Sequence, residues 1–313
     1  MKIAYLIITT LFALTAATAC AEQIIPTDAS EIALVSTVKF LSEDVGERSY
    51  LDVEKLNKSA EYLEKAFRMY GCAVHRQAFT YEGRTYYNII AEVKGVNASK
   101  KSVLIIGAHY DTVAGTPGAD DNASGVAGLL ELARMTVLQP ADRTIRFVAF
   151  CLEEPPAYGT EHMGSYVYAE SVKDEGVDVY GMISLEMIGF FCEEKECQAY
   201  PLSFLRWFYP DQGNYLSFVG NISSRPLTKR IHDAFRKQSS LPTERLSTFS
   251  WVTGVDFSDH RNFWKFGFKA FMITDTSFYR NPYYHEAGDS AEKLDYKRMA
   301  NLITGLHDAI IGI

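Results

Sequence analysis

Basic side chains are in the minority in this sequence and nowhere form a run. Of the 313 residues, 31 are Lys or Arg and 39 are Asp or Glu, which gives a formal net charge of -8. Proteins that bind nucleic acid through its phosphates usually carry a basic patch or basic residues interleaved with aromatic ones. The sequence has neither pattern, so we do not expect nucleic acid to be a partner.

Long apolar runs are absent beyond the first part of the chain. Nothing later approaches the roughly 18 consecutive apolar residues of a membrane-spanning helix, so we expect no transmembrane helix in the mature protein. The chain begins MKIAYLIITTLFALTAATACAEQ. One Lys, a short apolar run and small residues ending in Ala17-Thr18-Ala19 are typical of a secretory signal. We therefore predict a signal peptide over residues 1–21 and an exported protein, either periplasmic or secreted.

Cysteine is scarce, with five residues in the whole chain. Cys20 directly follows Ala19, where a bacterial lipoprotein carries its lipid, but Ala17 stands where such signals usually have Leu. Simple cleavage is the favoured expectation, and a lipid anchor at Cys20 is the alternative. Cys192 and Cys197 flank a short acidic loop and could form a local disulfide in an oxidising compartment, a pairing that spacing alone leaves open.

Internal repeats, low-complexity tracts and long flexible linkers are also missing, which predicts a single domain over residues 24–313. The apolar content of 47% is enough for one large core. Strand-like segments at 73–79, 86–94, 102–108, 144–150, 180–186 and 268–273 alternate with helical patterns near 54–70, 126–138, 161–172, 225–238, 258–265 and 296–311. This alternation predicts a three-layer α/β/α fold with a mostly parallel, doubly wound mixed sheet.

Histidine and acidic residues follow several predicted strands, at the point where each strand ends. In open parallel sheets, ligands bind beyond the carboxyl ends of the strands. The residues concerned are His109, Asp111, Asp120, Asp121, Glu153, Glu154, Glu186 and His285. Zinc favours imidazole nitrogen and carboxylate oxygen, and a two-metal hydrolytic site needs a bridging carboxylate with further ligands for each ion. Each residue alone is weak evidence, but their shared placement predicts a metal site.

Five strings in this part of the chain resemble the M28 family of zinc aminopeptidases and occur in the family's order. They are GAHYDTVAGTPGADDNASGVAGLLELAR, FVAFCLEEPP, SLEMIGF, FSDHRNFW and YYHEAGD, and general similarity extends from about residue 33 to residue 310. The resemblance implies a zinc-dependent exopeptidase with one catalytic domain. Its activity would be that of a metallo-aminopeptidase, acting on peptides with a free N-terminus.

The same resemblance implies which residues bind the metal. Two zinc ions are expected, and the predicted ligands are His109, Asp120, Glu154, Glu186 and His285. Asp120 would bridge the two ions, and a cis peptide bond is expected between Asp120 and Asp121. Three carboxylates would lie behind or beside the ligands, namely Asp111, Asp121 and Asp259. Asp111 would orient His109, as carboxylates commonly do behind a metal-bound imidazole.

Glu153 resembles the family's general base, because a carboxylate beside two cations can take a proton from water and deliver it to the leaving amine. Tyr284 is our candidate for stabilising the oxyanion. The aromatic strings at residues 203–210 and 277–284 could line an apolar substrate pocket or pack in the core. A leucine-like or other apolar first residue is the expected preference.

Glu186 leaves other functions open. Many aminopeptidases of the family carry Asp here, whereas Glu occurs in the related animal-type glutaminyl cyclases, which convert N-terminal Gln to pyroglutamate with one zinc. A glutaminyl-peptide cyclotransferase is therefore the alternative function. His109 argues against it, because one-zinc cyclases use only an Asp, a Glu and a His. A non-catalytic, receptor-like domain is a third alternative, disfavoured because all five ligand positions and the base are present.

Overall fold

The computed structural model describes residues 28–313. The predicted signal peptide and the alternative lipid site at Cys20 lie outside the described residues. Within residues 28–313, none of the helices combines the length and the hydropathy that a bilayer crossing requires. Cys192 and Cys197 form a disulfide that closes the acidic loop between them. Such bonds are typical of oxidising compartments.

Eight strands of the described chain form one mixed sheet. They are β1 (Ala73–Tyr81), β2 (Arg84–Val93), β3 (Val103–His109), β4 (Ile145–Phe150), β5 (Val179–Glu186), β6 (Leu216–Asn221), β7 (Thr243–Thr248) and β8 (Ala270–Thr274). Their order across the sheet is β1-β2-β4-β3-β5-β8-β6-β7. The four central strands, β4, β3, β5 and β8, run parallel, whereas β2 joins β4 and β6 joins β8 in antiparallel fashion. The carboxyl ends of the central strands therefore meet at one edge of the sheet.

Seven α-helices of the described chain cover the two faces of this sheet. They are α1 (Glu31–Lys39), α2 (Val53–Tyr70), α3 (Gly125–Leu138), α4 (Gly164–Asp174), α5 (Arg225–Gln238), α6 (His260–Lys265) and α7 (Tyr296–Ile310). On one face, α1, α2, α3, α5 and α7 pack together over the larger core; α4 and α6 cover the other face. This arrangement confirms the predicted three-layer α/β/α fold.

The local sequence explains why these elements form where they do. Helix α2 begins after Asp52, whose side chain accepts the backbone N–H of Lys55, and it ends at Gly71, which has the left-handed conformation with φ 97°. Its Leu63 is fully buried, a contact worth about 1.5–3 kcal/mol. Strand β3 is buried at every position, as expected for a central parallel strand covered on both faces.

Candidate metal centre

The carboxyl ends of four parallel strands bring the predicted site residues together. His109 is the last residue of β3, and Glu186 is the last residue of β5. Glu154 lies in the turn after β4, and His285 lies in the loop that follows β8. His109, Glu154 and Glu186 are buried, and the His285 side chain is partly exposed. The site thus sits at the sheet edge where the sequence predicts it.

The carboxylate of Asp121 lies between the two histidines. Its Oδ1 atom is 3.3 Å from His109 Nε2, and its Oδ2 atom is 3.2 Å from His285 Nε2. Glu186 Oε2 lies 3.5 Å from His109 Nε2, and Glu154 Oε2 lies 3.3 Å from His285 Nε2. The five side chains therefore form two sets, each with one His and one Glu, which share Asp121.

Several atoms of this cluster are buried without a hydrogen-bond partner. They are His109 Nε2, Glu154 Oε1 and His285 Nε2. An unsatisfied buried polar atom costs about 1–3 kcal/mol, so such a group calls for a ligand. His109, Asp121 and Glu154 each have a metal-binding atom, an imidazole nitrogen or a carboxylate oxygen, and these atoms lie within 4.8 Å of one another. Imidazole nitrogen and carboxylate oxygen suit zinc, so the cluster fits a metal centre in which Asp121 is shared.

The ring of His109 is oriented for this role by the chain itself. His109 Nδ1 lies 3.1 Å from the backbone carbonyl oxygen of Asp111. A carbonyl can only accept, so Nδ1 donates its proton, and in the neutral ring Nε2 would direct its lone pair toward Asp121 and Glu186. The carboxylate of Asp111 is farther away, with Oδ1 at 3.6 Å from Nδ1. It accepts the backbone N–H groups of Glu153 and Glu154, each at 3.1 Å, and so fixes the turn after β4.

The charges of the cluster are set by burial and by mutual contact. Burial and the nearby Asp121 raise the pKa of Glu154 to about 8. Burial lowers the pKa of His285, but the nearby carboxylates of Asp121 and Glu154 outweigh this and raise it to about 10. Burial also raises the pKa of Glu186. Crowded carboxylates with raised pKa values create a strong demand for positive charge, which a cation would meet.

Two buried residues hold the loop that carries Asp121. Asp289 accepts the backbone N–H groups of Asp120 and Asp121 through its two oxygens, at 2.9 and 3.0 Å. Arg48 is fully buried, and its guanidinium donates to the carbonyl oxygens of Pro117 and Gly118, at 2.8 and 2.9 Å. The same guanidinium also donates to the carbonyl oxygens of Leu41, Gly46 and Tyr110. Neither residue was expected from the sequence.

We expect Arg48→Met to lower the free energy of unfolding by at least about 3 kcal/mol, because several buried carbonyl oxygens would lose their donor. Urea denaturation measures this quantity. Arg84→Met is the matched control: Arg84 also donates to main-chain carbonyl oxygens, but at the surface. A loss below about 1 kcal/mol for Arg48→Met, similar to that of surface substitutions, would show that the arginine does not hold the loop.

Comparison with known proteins identifies the family and the fold. The sequence profile described as Peptidase family M28 matches residues 88–309. An uncharacterised protein of Escherichia coli K12, YfbL, is 39% identical over 289 residues, covering 90% of this chain and 88% of its own length. The chain belongs to peptidase family M28. The fold is that of BSAP, a zinc aminopeptidase from Bacillus subtilis, with a TM-score of 0.70, 17% identity and coverage of 90% of this chain and 95% of that one.

A glutaminyl cyclase of Bacteroides thetaiotaomicron, bound to N-acetylhistamine, has the same fold. Its TM-score is 0.69 at 20% identity, and the match covers 92% of this chain and 99% of that one. The M28 fold thus occurs both in peptidases and in a cyclase. The choice between these activities rests on the site of this chain.

The structure corrects one predicted ligand of this M28 protein. Asp120 does not lie among the histidines. Its Oδ1 accepts a hydrogen bond from the backbone N–H of Gly189 at 3.0 Å, and its Oδ2 accepts one from Asn281 Nδ2 at 2.9 Å. Both oxygens of Asp120 thus face other partners, and Asp121 is the carboxylate that lies between the two histidines. The predicted cis peptide bond is also wrong by one residue, because it joins Asp121 and Asn122.

Beside the cluster lies a cleft of about 190 Å³. Glu153 and Tyr284 line it, and the Tyr284 ring stacks on His285 with centroids 3.7 Å apart. Asp259 is fully buried, and burial raises its pKa to about 7. Its neighbour Ser258 donates a hydrogen bond to Glu186 Oε2 at 2.7 Å, a contact that the sequence did not reveal. Ser258 thereby orients Glu186 from outside the cluster.

Proposed function

We propose that the protein is a zinc-dependent aminopeptidase that removes N-terminal residues from peptides. The observation that carries the proposal is the position of Asp121 between two His–Glu pairs. Two zinc ions would be held by His109, Asp121 and Glu186 and by His285, Asp121 and Glu154. Bound zinc would make a water molecule acidic and polarise the substrate carbonyl.

Glu153 is the proposed general base. Its backbone is fixed by Asp111, and its side chain lines the cleft beside the ligand Glu154. Burial raises the pKa of Glu153 well above its ordinary value. A carboxylate with a raised pKa can accept a proton from the attacking water and then donate it to the nitrogen of the leaving amine. Two roles are thus divided between adjacent residues, with Glu154 as ligand and Glu153 as proton carrier.

Tyr284 is proposed to contact the substrate. Its ring is held against His285, and the residue lines the cleft. Burial, followed by the nearby carboxylates, raises the pKa of Tyr284 well above its ordinary value. The phenol therefore stays protonated and able to donate a hydrogen bond to an oxyanion. The carboxylates of the cleft also suit the cationic amine of a free N-terminus.

The proposal predicts complete dependence on metal and on the substrate's free amine. Treatment with a chelator should reduce peptide hydrolysis to background, and added zinc should restore it. Melting temperature should fall on chelation, because zinc binds the folded site preferentially. Release of amino acids from a peptide and from its N-acetylated form measures the second requirement. Equal rates for the two peptides would rule out an aminopeptidase.

A glutaminyl cyclase remains the second candidate, and Glu186 together with the fold shared with the Bacteroides enzyme favours it. His109 argues for the peptidase, since its Nε2 atom faces Asp121 and Glu186 and has no hydrogen-bond partner. Ammonia release from a peptide with N-terminal Gln, together with zinc analysis, separates the two. One zinc per chain and ammonia release would establish the cyclase.

We also propose that the protein acts outside the cytoplasm. The disulfide between Cys192 and Cys197 supports this location, because cytosolic thiols are normally kept reduced. The natural substrates would then be peptides in the periplasm or the medium. Labelling of intact and lysed cells with a membrane-impermeant reagent would test the location.

A further inference from the structure

Beside the metal cleft lies a second cavity, of about 90 Å³. The two spaces adjoin at Phe257, Ser277 and Phe278, which line both. The walls of the second cavity are mainly aromatic or aliphatic and include Tyr200, Leu205, Tyr209, Tyr215, Val255 and Tyr279. Parts of both aromatic strings in the sequence therefore line a cavity that opens next to the metal centre.

The floor of this cavity is a row of paired residues that begins at the metal centre. Glu186 pairs with Thr274, Thr274 pairs with Ser217, and Ser217 pairs with Glu244. Paired residues on adjacent strands point to the same face of a sheet. Strands lie about 4.8 Å apart, so the Cα atoms of Glu186 and Glu244 are about 14 Å apart. The row therefore runs from a proposed metal ligand to a second carboxylate at the far end of the cavity.

Glu244 is the one charged residue that lines this cavity in the described chain. Burial raises the pKa of its carboxyl group, Arg236 lowers it, and no hydrogen bond contributes. Its neighbour Thr243 points to the opposite face, where its hydroxyl lies 3.1 Å from His232 Nε2 of α5. Because side chains alternate along a strand, Glu244 faces the cavity. The cavity thus ends in a half-buried carboxylate with no ion-pair partner among the described residues.

We propose that this cavity binds the side chain of the substrate's N-terminal residue and selects lysine or arginine, with Glu244 as the counter-ion. The proposal rests on the aminopeptidase function and replaces the expected preference for an apolar first residue. Lysine and arginine combine an apolar stem with a cationic head, which matches apolar walls that end in a carboxylate. An apolar side chain would instead cover Glu244 without supplying a partner, which is unfavourable.

The first residue is the appropriate occupant for a geometric reason. An aminopeptidase places the carbonyl of the first residue at the metal centre, and no residue precedes it. Its side chain is therefore the one that starts beside Glu186 and can pass Phe257 and Phe278 into the cavity. The floor residues Thr274 and Ser217 are short and leave this path open.

The test compares amides of lysine and of norleucine, its uncharged counterpart, with one chromogenic leaving amine. For the zinc-loaded wild-type protein we expect kcat/KM to be about 10- to 100-fold higher for lysine, the usual worth of a hydrogen bond to a charged group. Glu244→Gln should lower kcat/KM for the lysine amide by about the same factor and so remove this preference. Glu170→Gln, on the exposed surface of α4, is the matched control and should keep the preference.

Two negative outcomes are distinguishable. Hydrolysis of the norleucine amide without a preference for lysine, or a preference that survives Glu244→Gln, would overturn the role of Glu244 and leave the aminopeptidase function intact. Failure of the zinc-loaded wild-type protein to hydrolyse either amide would overturn the proposed function, and the selection of lysine with it.

Discussion

Glu153→Ala should lower kcat by roughly 10²–10⁴, the usual contribution of a positioned general acid-base group, while zinc content stays near the wild-type value. Turnover and zinc content should respond separately to this substitution. Glu154, Asp121 and the two histidines form the metal cluster, whereas Glu153 lies beside that cluster in the cleft. Steady-state kinetics and metal analysis of the same preparation measure them.

Glu154→Ala provides the contrast, since it removes a proposed ligand and should reduce both zinc content and melting temperature. Glu161→Ala, an exposed glutamate in the same loop, controls for nonspecific effects and should change neither. The competing interpretation is that Glu153 only shapes the turn before Pro155. On that interpretation kcat would remain within a few-fold of the wild-type value, and the assignment of the base would be abandoned.

Asp121→Asn should weaken zinc binding by more than about 100-fold, beyond the loss typical of a residue behind the ligands. Its two oxygens face different histidines, so one substitution affects both halves of the cluster. Activity should fall to background. Zinc titration of the metal-free protein, followed by melting temperature, measures the affinity.

The matched control is Asp120→Asn, which carries the same chemical change one residue earlier. Burial and the nearby Asp275 raise the pKa of Asp120 well above its ordinary value, and its oxygens accept from Gly189 and Asn281. An amide there should lower stability more than zinc affinity. If instead Asp120→Asn abolished zinc binding and Asp121→Asn did not, the bridging role would return to Asp120.

Asp120 and Asp121 show how much of the site could be predicted from the sequence. Placement of acidic residues and histidines after parallel strands predicted the site, because hydrophobic patterning identifies buried strands and their ends. It could not show which of two neighbouring carboxylates faces the histidines. That choice depends on contacts from Gly189, Asn281 and Asp289, which are distant in the chain.

The secondary structure, like the site, could be predicted from the sequence only in part. Helix α5 was predicted with its observed bounds, Arg225–Gln238, and has one apolar face. By contrast, α1, β6 and β7 were not predicted. Strand β7 is half-buried at every position and carries Glu244 and Arg245, so it lacks the apolar alternation of a typical strand. The carboxylate proposed to select the substrate therefore lies on an element that patterning does not reveal.

Arg48 contacts five carbonyl oxygens, and these contacts limit where the chain can be cut without loss of structure. The segment matched by the family profile starts at residue 88, yet the loop before α3 is held by a guanidinium from well upstream of it. A fragment cut at the profile boundary would leave the carbonyl oxygens of Tyr110, Pro117 and Gly118 without this donor and would expose the apolar surface under α1 and α2. We therefore expect an expressed fragment to need the segment from α1 onward in order to fold.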